Sequence, residues 1–111
     1  WHRKAAEQGQ VESQSNIGFM YSNGRGVAKD EREAVAWYRK AAEQGQVEAQ
    51  INLGIMYAKG TGVAEDEREA VAWYRKAAGQ GHAQAQFNLG FMYAYGRGVV
   101  KDEREAVAWY R

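Results

Sequence analysis

Apolar residues in this chain recur at helical spacing and are cut into short stretches by glycine. Between residues 66 and 81, Ala70, Trp73, Tyr74 and Ala77 fall at i, i+3, i+4 and i+7, which lines them along one face of a helix. Asp66 precedes this stripe with Glu69 three residues on, an Asp-led variant of the capping box that can satisfy free amides at a helix start. The stripe stops near Gly79 or Gly81. Upstream, Val47 to Lys59 forms another helical stretch and runs into Gly60-Thr61-Gly62, where glycine can take the left-handed conformation that closes a helix C-terminus. No alternating strand pattern competes, and no proline interrupts the helices.

The same pattern occurs three times. Trp1, Trp37, Trp73 and Trp109 stand 36 residues apart, and DEREAVAWYR begins at Asp30, Asp66 and Asp102. A period of this length signals an array of two-helix units. Gly18, Gly54 and Gly90 recur inside the first helix of each unit, where glycine costs about 1 kcal/mol relative to alanine. Their recurrence implies close helix contact, with Ala34, Ala70 and Ala106 placed to meet them. The tryptophans and most tyrosines, one per unit, are expected in the core.

The patterns QxNLGxMYxxGxGV in the first helix and loop, and D-x-x-x-A-x-x-WYRKAAxQG in the second helix, resemble the Sel-one-like repeat (SLR) family, a branch of the tetratricopeptide superfamily. The likeness covers essentially the whole chain. It implies an all-α fold: a right-handed superhelical α/α solenoid of stacked antiparallel helix pairs, first helices lining a concave groove and second helices outside. The expected organisation is one domain over 1–111, with a half-helix of a preceding unit at 1–8 and helix pairs at about 10–45, 46–81 and 82–111, the last truncated. The likeness further implies an adaptor that holds a protein or peptide, without catalysis or cofactor. One bacterial branch of the family carries a disulfide in each repeat, and this chain has no cysteine.

Composition narrows the alternatives. Fifteen basic against fourteen acidic side chains leave a net charge of +1, too little to attract nucleic acid or an anionic membrane at long range, so neither partner is expected. With no cysteine, thiolate metal sites and thiol nucleophiles are excluded. The start at Trp1, without an initiator methionine, points to a piece of a longer protein. The compartment stays open, with bacterial periplasm or cytoplasm as the expected places.

Candidate chemistry mostly resolves into helix architecture. Asp30-Glu31-Arg32-Glu33 and its copies could be read as paired catalytic carboxylates, but capping explains a feature repeated in every unit. Gly24-Arg25-Gly26 lacks the preceding strand and following Lys-Ser/Thr of a phosphate loop and reads as a turn. His2 and His82 hold unrelated repeat positions, so no metal site is expected. Arg3, Lys4, Arg39, Lys40, Arg75 and Lys76 form a basic row on the second helices, balanced by Glu31, Glu33, Glu67 and Glu69.

Function is sought where near-identical units differ. The variable sites are Ser15/Ile51/Phe87, Phe19/Ile55/Phe91, Ser22/Ala58/Ala94 and Asn23/Lys59/Tyr95, along one face of the first helix, joined by Glu12, Glu48 and Gln84 a turn earlier. By resemblance these point into the groove, which would be polar near Glu12, Ser15 and Asn23 and aromatic near Phe87, Phe91 and Tyr95. An apolar row rimmed by polar groups marks an interaction site. The competing reading packs the apolar members between units. A carboxylate clamp is not expected, because Phe19, Ile55 and Phe91 stand where its asparagine would be. Another alternative is end-to-end self-assembly: Trp109-Tyr110-Arg111 ends in the phase where Trp1-His2-Arg3 begins, and the last helix has no follower to cover its apolar face.

Overall fold

A computed structural model describes residues 2–110, with side chains from 10 to 110. The elements are α1 (His2–Asn23), α2 (Glu31–Glu43), α3 (Val47–Lys59), α4 (Glu67–Gly79), α5 (Ala83–Tyr95) and α6 (Glu103–Tyr110), with no strand among the described residues. Helices pair as α1 with α2, α3 with α4 and α5 with α6, and each pair leans on the next through α2 with α3 and α4 with α5. The result is an α/α solenoid of 42 × 35 × 17 Å, its thinnest dimension fitting two helix layers at the usual 8–10 Å separation.

The caps form where the sequence places them, with one change of partner. The carboxylate of Asp66 accepts from the backbone N–H of Arg68 at 3.1 Å and Glu69 at 3.2 Å, and Asp30 and Asp102 do the same at α2 and α6. The reciprocal half of a capping box is not made. The Asp66 N–H donates instead to the carbonyl of Tyr57 at 2.9 Å, as Asp30 does to Tyr21 and Asp102 to Tyr93. A carbonyl near the end of the preceding helix thus takes the place of the expected glutamate, tying each loop shut. At the C-terminus of α3, Gly60 adopts φ 71° and donates its N–H to the Met56 carbonyl.

One boundary differs from expectation. Ala-Ala-Glu-Gln-Gly after α2 and Ala-Ala-Gly-Gln-Gly after α4 turn sharply, whereas at residues 5–9 the backbone of α1 continues without a break. After α2 the turn is held by its neighbour: Gln50 Nε2 donates to the Ala42 carbonyl at 3.2 Å.

The core runs along the seam between layers. Leu53 and Leu89 are fully buried, as are Ala34, Ala49, Ala70, Ala77 and Ala85, and the stripe Ala70, Trp73, Tyr74, Ala77 is buried throughout. Trp37 and Trp109 are partly buried, and Trp1 lies outside the described residues. The glycine inside each first helix meets an aromatic ring more closely than the alanine expected there. A Cβ at Gly54 would lie 2.8 Å from the Tyr74 ring and 3.4 Å from the Ala70 carbonyl oxygen.

Candidate functional site

Two cavities open between successive units, and they are built from equivalent positions. The first, of 360 Å³, is lined by Ile55, Ala58 and Lys59 of α3, Glu67 and Tyr74 of α4, Gln84, Asn88, Phe91 and Met92 of α5, and Arg97. The second, of 280 Å³, lies one unit earlier and takes Ser22, Glu31, Tyr38, Asn52, Ile55, Met56, Lys59 and Thr61. Ile55 and Lys59 line both, so α3 is the ridge between them. A smaller hollow of 270 Å³ near the helix starts is lined by Glu48, Ile51, Asn52, His82 and Gln84.

Burial divides the expected row. Phe19, Phe91 and Tyr95 are exposed, and the Phe91 and Tyr95 rings pack at 4.7 Å between centroids with a 43° tilt. Glu12, Asn23, Glu48, Lys59 and Gln84 are exposed, while Ser22, Ile55, Ala58 and Ala94 are partly covered. Asn23 spends its amide on the end of its own helix, donating to the Phe19 carbonyl at 2.9 Å. Ser15 and Ile51 are buried and offer no surface to a partner, because in the first two units this position packs under the following unit. Phe87, at the same repeat position, is exposed but packs against the Tyr110 ring of α6 at 5.4 Å between centroids, and it does not line the cavity that holds Phe91.

Reading only the variable positions missed Asn52 and Asn88, which line the cavities. Their signal was an asparagine repeated at Asn16, Asn52 and Asn88, within an otherwise mostly apolar stretch. It also missed the ion pair of Arg97 with Glu67, which spans two units. Glu67, by hydrogen bond and then by charge, raises the Arg97 pKa above its ordinary value. Burial pushes the Tyr74 phenol at the cavity wall up to about 12 and raises Tyr38 in the same direction.

The basic row has structural work. Arg75 donates to the Tyr93 hydroxyl at 2.7 Å and lies over that ring, and Arg39 makes the equivalent bond to Tyr57. Lys40 sits 4.4 Å from the Trp37 ring centre and Lys76 4.5 Å from that of Trp73, in cation–π geometry. The side chains of Arg3, Lys4 and His2 lie outside the described residues. Among the described residues, no group of three His, Cys, Asp or Glu side chains could hold a metal ion, and no helix is long and apolar enough to cross a membrane.

A family model for the Sel1 repeat matches residues 1–10, 11–46, 47–82 and 83–111, the whole length. The chain belongs to the Sel1 repeat family. Among solved structures it is similar to c5321, a protective antigen of uropathogenic Escherichia coli with an SLR fold, at 46% identity and a TM-score of 0.90 over 99% of this chain and 24% of that one. It is also similar to a Sel1 repeat protein from Oxalobacter formigenes, at 48% identity and 0.88 over 91% of this chain and 40% of that one. Helicobacter pylori cysteine rich protein B matches at 28% identity and 0.74, over 96% of this chain and 81% of that one. This Sel1 repeat chain therefore spans less than half the length of the first two relatives. No curated protein matches it. Sel1 repeat proteins are in general non-catalytic scaffolds for protein interaction.

Proposed function

We propose that this Sel1 repeat segment holds a peptide or protein segment along the first helices, with the partner's main apolar anchor entering the 360 Å³ cavity beside Phe91. The observation that carries this is the exposed Phe91–Tyr95 aromatic pair at the wall of a cavity with polar groups at hand. Exposed rings cost hydration and are favoured where a partner removes them from water. Asn88 and Gln84 can pair with the partner's main chain, and exposed Lys59 can face a carboxylate on it. Ile55 and Phe19 continue the surface toward the first unit.

The test is to select binders from a random peptide display library on the full chain, then titrate the enriched peptides against variants by fluorescence polarisation. Truncating a central aromatic anchor typically costs about 2 kcal/mol, so Phe91→Ala should weaken binding roughly thirtyfold. Phe87→Ala, outside the cavity, and Arg32→Ala, on the opposite layer, should change it less than threefold. Peptides whose binding is lost with Arg32→Ala but kept with Phe91→Ala would move the site to the second helices.

A further inference from the structure

The loop after each first helix reads Gly24-Arg25-Gly26, Gly60-Thr61-Gly62 and Gly96-Arg97-Gly98, so the middle unit has threonine where the other two have arginine. The backbone around this position is the same at both junctions between units. Thr61 donates its N–H to the Met56 carbonyl at 2.9 Å, and Arg97 to the Met92 carbonyl at 2.9 Å. A Cβ added to Gly62 would stand 2.6 Å from the carbonyl carbon of Glu31, and one added to Gly98 would stand 2.6 Å from that of Glu67. Thr61 therefore starts its side chain from the same place relative to Glu31 as Arg97 does relative to Glu67, with which Arg97 pairs. Threonine brings no charge there.

Glu31 keeps the acidic half of that pairing without the basic half. Among the described residues the ion pairs are Arg97 with Glu67 and Lys101 with Glu103, and Lys59, which lines the same cavity as Glu31, takes part in neither. Beside Glu31 the hydroxyls of Ser22 and Thr61 line the 280 Å³ cavity and can accept further hydrogen bonds. Ile55 and Met56 complete its wall with apolar surface, against which the stem of a long cationic side chain can lie. The 360 Å³ cavity is in the opposite condition, since Arg97 already occupies its glutamate, Glu67.

We infer that the 280 Å³ cavity is a subsite for an arginine side chain of the bound peptide, which takes Glu31 as Arg97 takes Glu67 at the next junction. The inference rests on the reading that a peptide lies along the first helices. Charge complementarity makes the occupant a cation, and the donor count makes it arginine. A guanidinium presents five N–H donors in one plane, enough for both oxygens of Glu31 and the hydroxyls of Ser22 and Thr61, whereas an ammonium presents three from a single point. Ile55 and Lys59 line both cavities, so the two lie on either side of α3, separated by about 10 Å, the width of a helix with its side chains. An extended peptide rises about 3.3 Å per residue, which puts the arginine about three residues from the apolar anchor beside Phe91. Lys59, on the ridge between the cavities, disfavours further positive charge in that interval.

The experiment selects random displayed peptides on the full chain and, in parallel, on Thr61→Arg, which gives Glu31 the internal partner that Glu67 has. Arginine about three residues from a large apolar residue should be enriched on the parent and not on Thr61→Arg. For an enriched peptide, replacing its arginine by citrulline keeps the shape, removes the charge and should weaken binding about tenfold in fluorescence polarisation. Glu31→Gln should weaken the arginine peptide equally, and the two changes together should cost little more than either alone, since both remove one pairing. Peptides that need Phe91 but tolerate both citrulline and Glu31→Gln would overturn the arginine subsite and leave the apolar cavity standing. Peptides that need arginine and Glu31 but tolerate Phe91→Ala would support the subsite and overturn the apolar anchor. A selection that enriches no peptide overturns both.

Discussion

The close approach of α3 to α4 at Gly54 sets a stability effect whose sign is opposite to that of helix propensity. Replacing a helical glycine by alanine ordinarily stabilises by about 1 kcal/mol. Here the new Cβ would stand 2.8 and 2.9 Å from two carbons of the Tyr74 ring, whereas carbon atoms pack comfortably at about 3.5–4.0 Å. Tyr74 is buried and cannot swing aside, so the helices must part by a sizeable fraction of an ångström. Overpacking of this kind costs about 1–3 kcal/mol, which after the propensity gain leaves Gly54→Ala destabilised by about 1 kcal/mol. Gly54→Val loses the propensity gain, adds two methyl groups and should cost about 3 kcal/mol. Gly90→Ala meets Tyr110 at the same 2.8 Å, but that ring is half exposed and can yield, so the cost should be smaller than at Gly54. Gly79→Ala is the control: its Cβ meets nothing within 4 Å, so propensity acts alone and stability should not fall. Gly60→Ala is no such control, since φ is +71° there and its Cβ would sit 3.1 Å from that of Glu65. Thermal melts followed by circular dichroism should place Gly54→Ala on the order of 5 °C below the parent. A melting point at or above the parent's would show that α3 and α4 have room to spare and that the glycine is there for some other reason.

Asp66→Ala removes the acceptor for two amides at the start of α4 and should cost about 1 kcal/mol in the same melts, with Asp66→Asn recovering most of it. Alkali should unfold the chain through its buried phenols. Tyr74 holds its proton to about pH 12 when folded, whereas in the unfolded chain a tyrosine releases it near 10. The unfolded state therefore binds fewer protons between these values, and stability that is flat below about pH 10 should fall as pH rises toward 12. Urea midpoints measured across that range would check it, and a Tyr74→Phe variant should show a shallower decline.

The fold was legible because each unit states it again. The 36-residue period, the Asp66 cap and the Gly60 stop all depend on residues within a turn or two of each other. Features set by a neighbouring unit were not legible. Gly9 has the same local sequence as Gly45, yet only the second is a turn, so the local sequence alone does not set that boundary. The expected back-bond from Glu69 to Asp66 gave way to the Tyr57 carbonyl, a partner from outside the local segment. Arg39 and Arg75 read as a solvated basic row, but the tyrosines they bind lie 18 residues on.

The candidate site shows how that limit shapes a functional reading. Variation between units can mark partner contact, but a position can also vary because it packs against the next unit, whose residues vary with it. The interior unit separates these causes, since only there is a helix pair flanked on both sides in this structure. Ile51 varies and is buried in that unit, so its position belongs to the junction, whereas Phe87 is exposed in the last described unit. Ile55 and Lys59 vary and still reach the surface between two neighbours, lining a cavity on either side. The pair Ile55/Phe91 therefore carries the binding hypothesis and the pair Ile51/Phe87 does not, although both read as one apolar stripe in the sequence. Asn52 and Asn88 pass the complementary test. They do not vary, yet they line the same cavities, as a group would if it met a feature common to every partner, its main chain.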